Sequence, residues 1–164
     1  MTTRRLLLLR HATAEDFRPG FEDKDRRLTE RGRAEAVAVG DWLRQQKIVV
    51  DHVVCSSAVR TRQTLAGLEL SAPVDFSDAI YSGEAETIIT AAGELDDGIG
   101  TGLIIGHSPA IPTAARDLAD PDASDPESLT TLDRRYPPAT LALLESPNPW
   151  SDLGVARLLT LRLP

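Results

Sequence analysis

Three short apolar runs constrain this chain more than any other feature: Leu6-Leu7-Leu8-Leu9, Val53-Val54-Cys55 after His52, and Leu103-Ile104-Ile105 between Gly102 and Gly106. Each is too short for a helix core and too continuously apolar for a strand with one wet face. That is the pattern of strands buried on both sides of a parallel sheet. Between them lie segments with helical spacing. A helix is expected from an N-cap at Thr29 to about Gln46, with Ala36, Val39, Gly40 and Leu43 on its buried face. Further helices are expected over 58–68, over 85–95 and from Pro109 onward, with a short strand at 74–76. Strands alternating with helices predict an α/β fold, a three-layer αβα sandwich around a mostly parallel central sheet.

Residues 12–28 read as a charged loop broken by Pro19 and Gly20, and residues 120–138, rich in Asp, Ser and Pro, as an exposed loop. Two last strands are expected over 139–144 and 155–163, at a sheet edge where Pro137 and Pro138 are tolerated. A chain of 164 residues is expected to form one domain, 1–164, burying roughly two-thirds of its unfolded surface. The lone Cys55 has no internal disulfide partner, which points to a reducing, cytoplasmic setting. The leucine run after Arg4-Arg5 stops at Arg10 and His11, too soon for a signal peptide or a membrane span, and no membrane partner is expected. A net charge of −7 with only 4% aromatic residues also argues against nucleic acid as a partner. An anionic substrate would need a local basic pocket.

The residues that end the three strands could build one. Leu9 runs into Arg10-His11, Cys55 into Ser56-Ser57 with Arg60 close behind, and Gly106 into His107. Ligands of open α/β sheets bind at the carboxyl ends of the strands, so two histidines and two arginines should converge there. That set suits phosphoryl transfer, in which a nucleophile is held in line and charge on the equatorial oxygens is neutralised. Arginine offers a planar fork of donors matched to phosphate. A neutral imidazole can attack phosphorus to give a covalent intermediate, and a second, protonated one can steady the transition state.

Leu9-Arg10-His11-Ala12 resembles the RHG signature of the histidine phosphatase, or phosphoglycerate mutase-like, superfamily. The stretch from Ser56 to Thr64 resembles its Ser-x-x-x-Arg-Ala-x-Gln-Thr segment, and Gly106-His107-Ser108-Pro109 its second histidine motif. Arg26-Arg27-Leu28-Thr29-Glu30-Arg31-Gly32 is similar to the Arg-Pro-Leu-Thr-x-x-Gly of the short SixA branch of phosphohistidine phosphatases, as is Tyr136-Pro137-Pro138-Ala139 with Trp150 to that branch's C-terminal pattern. The resemblance implies a phosphoglycerate mutase-like fold and a metal-independent phosphatase. It makes His11 the phosphorylated nucleophile, Arg10 and Arg60 phosphate clamps, and His107 the second histidine of the pocket. The partner it implies is a phosphorylated substrate, either a phosphohistidine protein or a small phosphate ester.

Two departures stand out. Ala12 replaces the signature glycine, which requires an ordinary negative φ there. The acidic residue that larger members carry after the third strand is missing from Ala79-Ile80-Tyr81-Ser82-Gly83, leaving Glu84 and Glu86 as substitutes or as plain first-turn helix acids. Without an acid, a readily departing group such as phosphorylated imidazole is the preferred substrate. The alternatives are a phosphatase for small phosphomonoesters and a module that binds phosphate without turnover. A cysteine phosphatase loop, Cys-x5-Arg, fails in register, because the sixth residue after Cys55 is Thr61. A serine-hydrolase elbow at Ser108 fails because no histidine follows it in the chain. His11, His52 and His107 lack metal-ligand spacing, so neither metal nor cofactor is expected, and His52 reads as structural.

Overall fold

Alternation along one strand divides the molecule into layers. In the computed structural model, which describes residues 2–164, strand β1 (Arg4–Arg10) sends Leu6 and Leu8 into one core and Leu7 and Leu9 into another. Helices α1 (Glu30–Gln45) and α2 (Val59–Leu68) close the second core through Ala36, Val39, Leu43 and Leu68. The first core is closed by α3 (Asp78–Ser82), α4 (Ala85–Gly93), α5 (Ala110–Leu118) and α6 (Pro126–Arg134). All four leucines are sealed from solvent, which at about 1.5–3 kcal/mol each makes this strand a main source of cohesion.

The sheet between the layers adds β2 (His52–Ser56), β3 (Val74–Ser77), β4 (Thr101–Gly106), β5 (Leu141–Ser146) and β6 (Arg157–Arg162), in the order β3-β2-β4-β1-β5-β6. The first four strands in that order are parallel, and β5 runs antiparallel to both of its neighbours. The architecture is the expected three-layer α/β sandwich. Among the described residues no helix is long and apolar enough to cross a membrane.

Three local expectations need correction. Residues 120–138 are not simply an exposed loop, since they hold α6, which starts on an Asp125 cap bonded to the Ser128 amide and buries Leu132. Its apolar stripe is thin. Ser124 and Ser128 turn inward instead, their hydroxyls accepting from the backbone amides of Leu158 and Leu161. Strand β5 is interior rather than at the edge, and Pro137 and Pro138 fall in the connection before it. The stretch 78–82, read only as a segment after the third strand, is the short helix α3, capped by Ser77.

One glycine ties this frame to the residues after His11. Thr29 caps α1 by accepting from the Gly32 amide, and its own amide donates to the Thr13 carbonyl at 3.0 Å. The helix can come this close because a Cβ on Gly32 would collide with the Thr13 carbonyl oxygen. Gly32→Ala is therefore expected to destabilise the chain by about 1–3 kcal/mol, measured by chemical denaturation. Unchanged stability would show that α1 does not bear on this segment.

Candidate active site

Register brings the two histidines together. Arg10 at the end of β1 lies opposite Gly106 at the end of β4, so His11 and His107 leave adjacent strands at the same level. The His11 amide donates to the Gly106 carbonyl at 3.0 Å, and the two imidazole centroids are 5.3 Å apart. Strand β2, on the other side of β4, ends at Ser56, whose hydroxyl is 2.7 Å from His107 Nε2. Arg60 follows in the first turn of α2, and its guanidinium lies close enough to influence the charge state of both histidines.

His11 is held in one tautomer. Its Nδ1 lies 2.7 Å from the Ala12 carbonyl, which can only accept, so Nδ1 carries the proton and Nε2 keeps its lone pair. Ala12 has an ordinary backbone, outside the positive-φ region, and its amide donates to Thr64 Oγ1 at 3.0 Å. Burial pushes the His11 imidazole down to about 4, aided by the charges of Arg60, Arg10 and Arg26 and opposed by the bond to Ala12. His107 is pushed down to about 3, again mainly by burial, then by Arg60 and His11. Both rings are therefore neutral near pH 7 in the free protein, and the protonated second histidine is expected only beside a phosphate.

Each arginine is gripped at one end. Arg10 Nη1 donates to the Tyr136 carbonyl at 2.8 Å, and the segment 136–140 wraps around it, with the Thr140 carbonyl accepting from the Arg10 amide and the Ala139 amide donating to the Arg10 and His11 carbonyls. Arg60 donates through Nη1 to the Asp23 carbonyl at 2.9 Å and through Nη2 to Asp23 Oδ2 at 3.2 Å. The Nε of both arginines and Nδ1 of His107 are buried without a hydrogen-bond partner among the described residues. A tetrahedral anion would satisfy the two guanidinium donors.

The four residues singled out in the sequence, Arg10, His11, Arg60 and His107, are therefore neighbours. Glu84 and Glu86 are not part of this cluster: Glu84 is the N-cap of α4 and Glu86 lies in its first turn, both exposed and without a side-chain bond among the described residues. The carboxylate that does reach the cluster is Asp23, in a 3-10 turn at Asp23–Asp25 within the loop 12–28. Tyr81 in α3 donates to its Oδ2 at 2.8 Å, and the Tyr81 ring meets His107 edge-on with centroids 5.7 Å apart. In the sequence Asp23 is one of three acidic residues in a row of four, with Glu22 and Asp25. The one available signal was its place three residues before Arg26, whose Nε donates to Asp23 Oδ1 at 2.9 Å. His52 sits at the opposite end of β2, paired with Asp75, and burial pushes the Cys55 thiol up to about 12, so neither is poised for chemistry here. Among the described residues no group of three or more His, Cys, Asp or Glu side chains is arranged to hold a metal ion.

Comparison with known proteins supports the same reading of the fold and its kin. The profile of the histidine phosphatase superfamily (branch 1) matches residues 6–80. The structure of a candidate phosphohistidine phosphatase SixA from Nakamurella multipartitia superimposes with a TM-score of 0.89 at 35% identity, covering 100% of this chain and 98% of the other. The chain belongs to the histidine phosphatase superfamily. A second candidate SixA, from Agrobacterium tumefaciens, gives a TM-score of 0.81 at 25% identity over 98% of each chain. An uncharacterized protein of Mycobacterium tuberculosis is 33% identical over 158 residues, 95% of this chain and 99% of its own length. This histidine phosphatase thus shares its frame with relatives along essentially its whole length.

Neutral buried imidazoles leave a mark on stability. Both titrate below the ordinary 6.5, so between about pH 6.5 and 3 the unfolded chain binds more protons than the folded one, and stability falls as pH drops through that window. Urea denaturation between pH 7 and 4 is expected to show this fall, and to show a smaller one in His107→Gln. Equal slopes in the two proteins would contradict the burial argument.

Proposed function

We propose that this histidine phosphatase hydrolyses phosphoryl groups through a covalent intermediate on His11 and that its preferred substrate is phosphohistidine in a partner protein. The observation that carries the proposal is the His11 tautomer: a free Nε2 lone pair, fixed by the Nδ1–H bond to Ala12, beside two arginines and a second imidazole. Nε2 attacks phosphorus, a new P–N bond forms, and the bond to the leaving group breaks. Arg10 and Arg60 bind the equatorial oxygens. The Nδ1–H bond to Ala12 steadies the positive charge that develops on the phosphorylated ring.

His107 takes part by changing its charge. Its imidazole is neutral without an anion, and a phosphate dianion close by favours the protonated form, so substrate binding draws a proton onto the ring. In the second step water attacks phosphorus, the P–N bond breaks, and its electron pair returns to His11 Nε2. Inorganic phosphate leaves and the proton of the water passes to solvent.

The choice of substrate follows from the leaving group. An alkoxide needs a proton as it departs, and the carboxylate nearest the site is held ionised, with Tyr81, Arg60 and Arg26 keeping Asp23 below the usual carboxylate range against the effect of burial. It has no proton to give near pH 7. A phosphorylated imidazole whose other nitrogen is protonated leaves as a neutral ring without that help. The 35% identical relative described as a candidate phosphohistidine phosphatase supports the same substrate class.

The test is a substrate comparison joined to a labelling experiment. A phosphohistidine protein is expected to turn over far faster than sugar phosphates, His11→Ala to lose roughly a thousandfold or more of that activity, and an acid-labile phosphoryl label to appear on the parent but not on this variant. Label without turnover, or faster turnover of sugar phosphates, would overturn the assignment. A calorimetric titration with inorganic phosphate in buffers of different ionisation enthalpy is expected to show proton uptake, lost in His107→Gln.

A further inference from the structure

Arg60 makes two side-chain hydrogen bonds, more than Arg10, and a single residue accepts both. Asp23 binds it twice, by its main-chain carbonyl on Nη1 and by its carboxylate on Nη2, which leaves Nε as the buried donor without a partner. The carboxylate is itself fixed from two other directions, by Tyr81 Oη on Oδ2 at 2.8 Å and by Arg26 Nε on Oδ1 at 2.9 Å. Arg26 is tied back in turn by a bond from Nη1 to the Glu15 carbonyl. The 3-10 turn that carries Asp23 buries no side chain, so polar contacts hold it in place. From the same turn Lys24 Nζ reaches Asp78 at 2.8 Å and lies 5.4 Å from the centre of the Tyr81 ring.

We propose that Asp23 is a positioning residue for the phosphatase reaction: by gripping the terminal nitrogens of Arg60 it makes the guanidinium meet the phosphoryl group through its Nε side, with Tyr81 and Arg26 fixing the grip. The inference rests on the reading of Arg60 as a phosphate clamp. Arg10 shares part of this arrangement, held at Nη1 by a carbonyl and with Nε buried and without a partner among the described residues.

A negative charge near a phosphate site could instead act as a rival of the substrate. Exposure decides between the two roles. The Asp23 side chain is 42% exposed, so solvent screens its repulsion of a phosphate, whereas the Arg60 side chain is only 6% exposed and depends on its few fixed partners for orientation. Loss of alignment should outweigh loss of repulsion.

Direct titration with inorganic phosphate tests this without reference to the physiological substrate. Asp23→Ala is expected to weaken phosphate binding and lower kcat/KM by about tenfold to a hundredfold. Asp23→Asn, which keeps the size and one acceptor oxygen, should lose less. In an Arg60→Ala background, Asp23→Ala should add no more than about a twofold loss, because its effect passes through Arg60. Lys24→Ala, which removes one tie of the same turn to α3 and leaves every hydrogen bond of Asp23 and Arg60 in place, should change kcat/KM less than about twofold. Tighter phosphate binding in both Asp23 variants would make the carboxylate a rival anion and overturn the proposal. So would an undiminished Asp23→Ala effect without Arg60, or a Lys24→Ala loss as large as that of Asp23→Ala. If Asp23→Ala fails to fold, Asp23→Asn with and without Arg60 decides by the same criteria. Arg60→Ala binding phosphate as tightly as the parent would overturn the clamp assignment itself, and this inference with it.

Discussion

The pairing of β1 with β4 is the constraint on which everything else rests. Neighbouring strands lie about 4.8 Å apart, and two imidazoles that leave such strands at one level come out with ring centroids 5.3 Å apart. The apolar pattern enforces that level. Shifting β1 by one residue would still present leucines to both cores but would draw Arg5 or Arg10 into a sealed position, at the cost of burying a charge. The same leucines that hold the layers together therefore set the spacing of the groups at their ends.

Burial then divides the site's charged groups by type. Imidazoles surrender their protons when taken out of water, and both do so here. Guanidiniums cannot, so they keep their charge and are instead steadied by carbonyl oxygens and one partly exposed carboxylate. The outcome is a positive pocket with an uncharged nucleophile, inside a chain whose overall charge is −7.

Much of this was legible in the sequence, for an identifiable reason. Arg10, His11 and His107 directly follow apolar runs, and a strand end fixes where the next residue goes. Arg60 needed only one further turn of helix. Asp23 and Tyr81 were hidden because their contacts close over separations of 37 and 58 residues, and the 3-10 turn and short α3 that carry them are too brief for a periodic signal. Glu84 and Glu86 drew attention by being near in sequence, yet as the cap and first turn of α4 they stay in solvent. Helix α6 escaped notice because serines, rather than apolar side chains, make part of its inward contacts. Its start was nonetheless written in Asp125-Pro126, a cap followed by a residue suited to the first helical position.

The brace on Arg10 carries a consequence for how the site is held. The carbonyls at 136 and 140 that hold this guanidinium and its amide arrive more than a hundred residues after it, just ahead of β5. The support of this guanidinium is thereby tied to the docking of β5 beside β1, so a local opening of that strand would loosen the cation while leaving both imidazoles on their own strands.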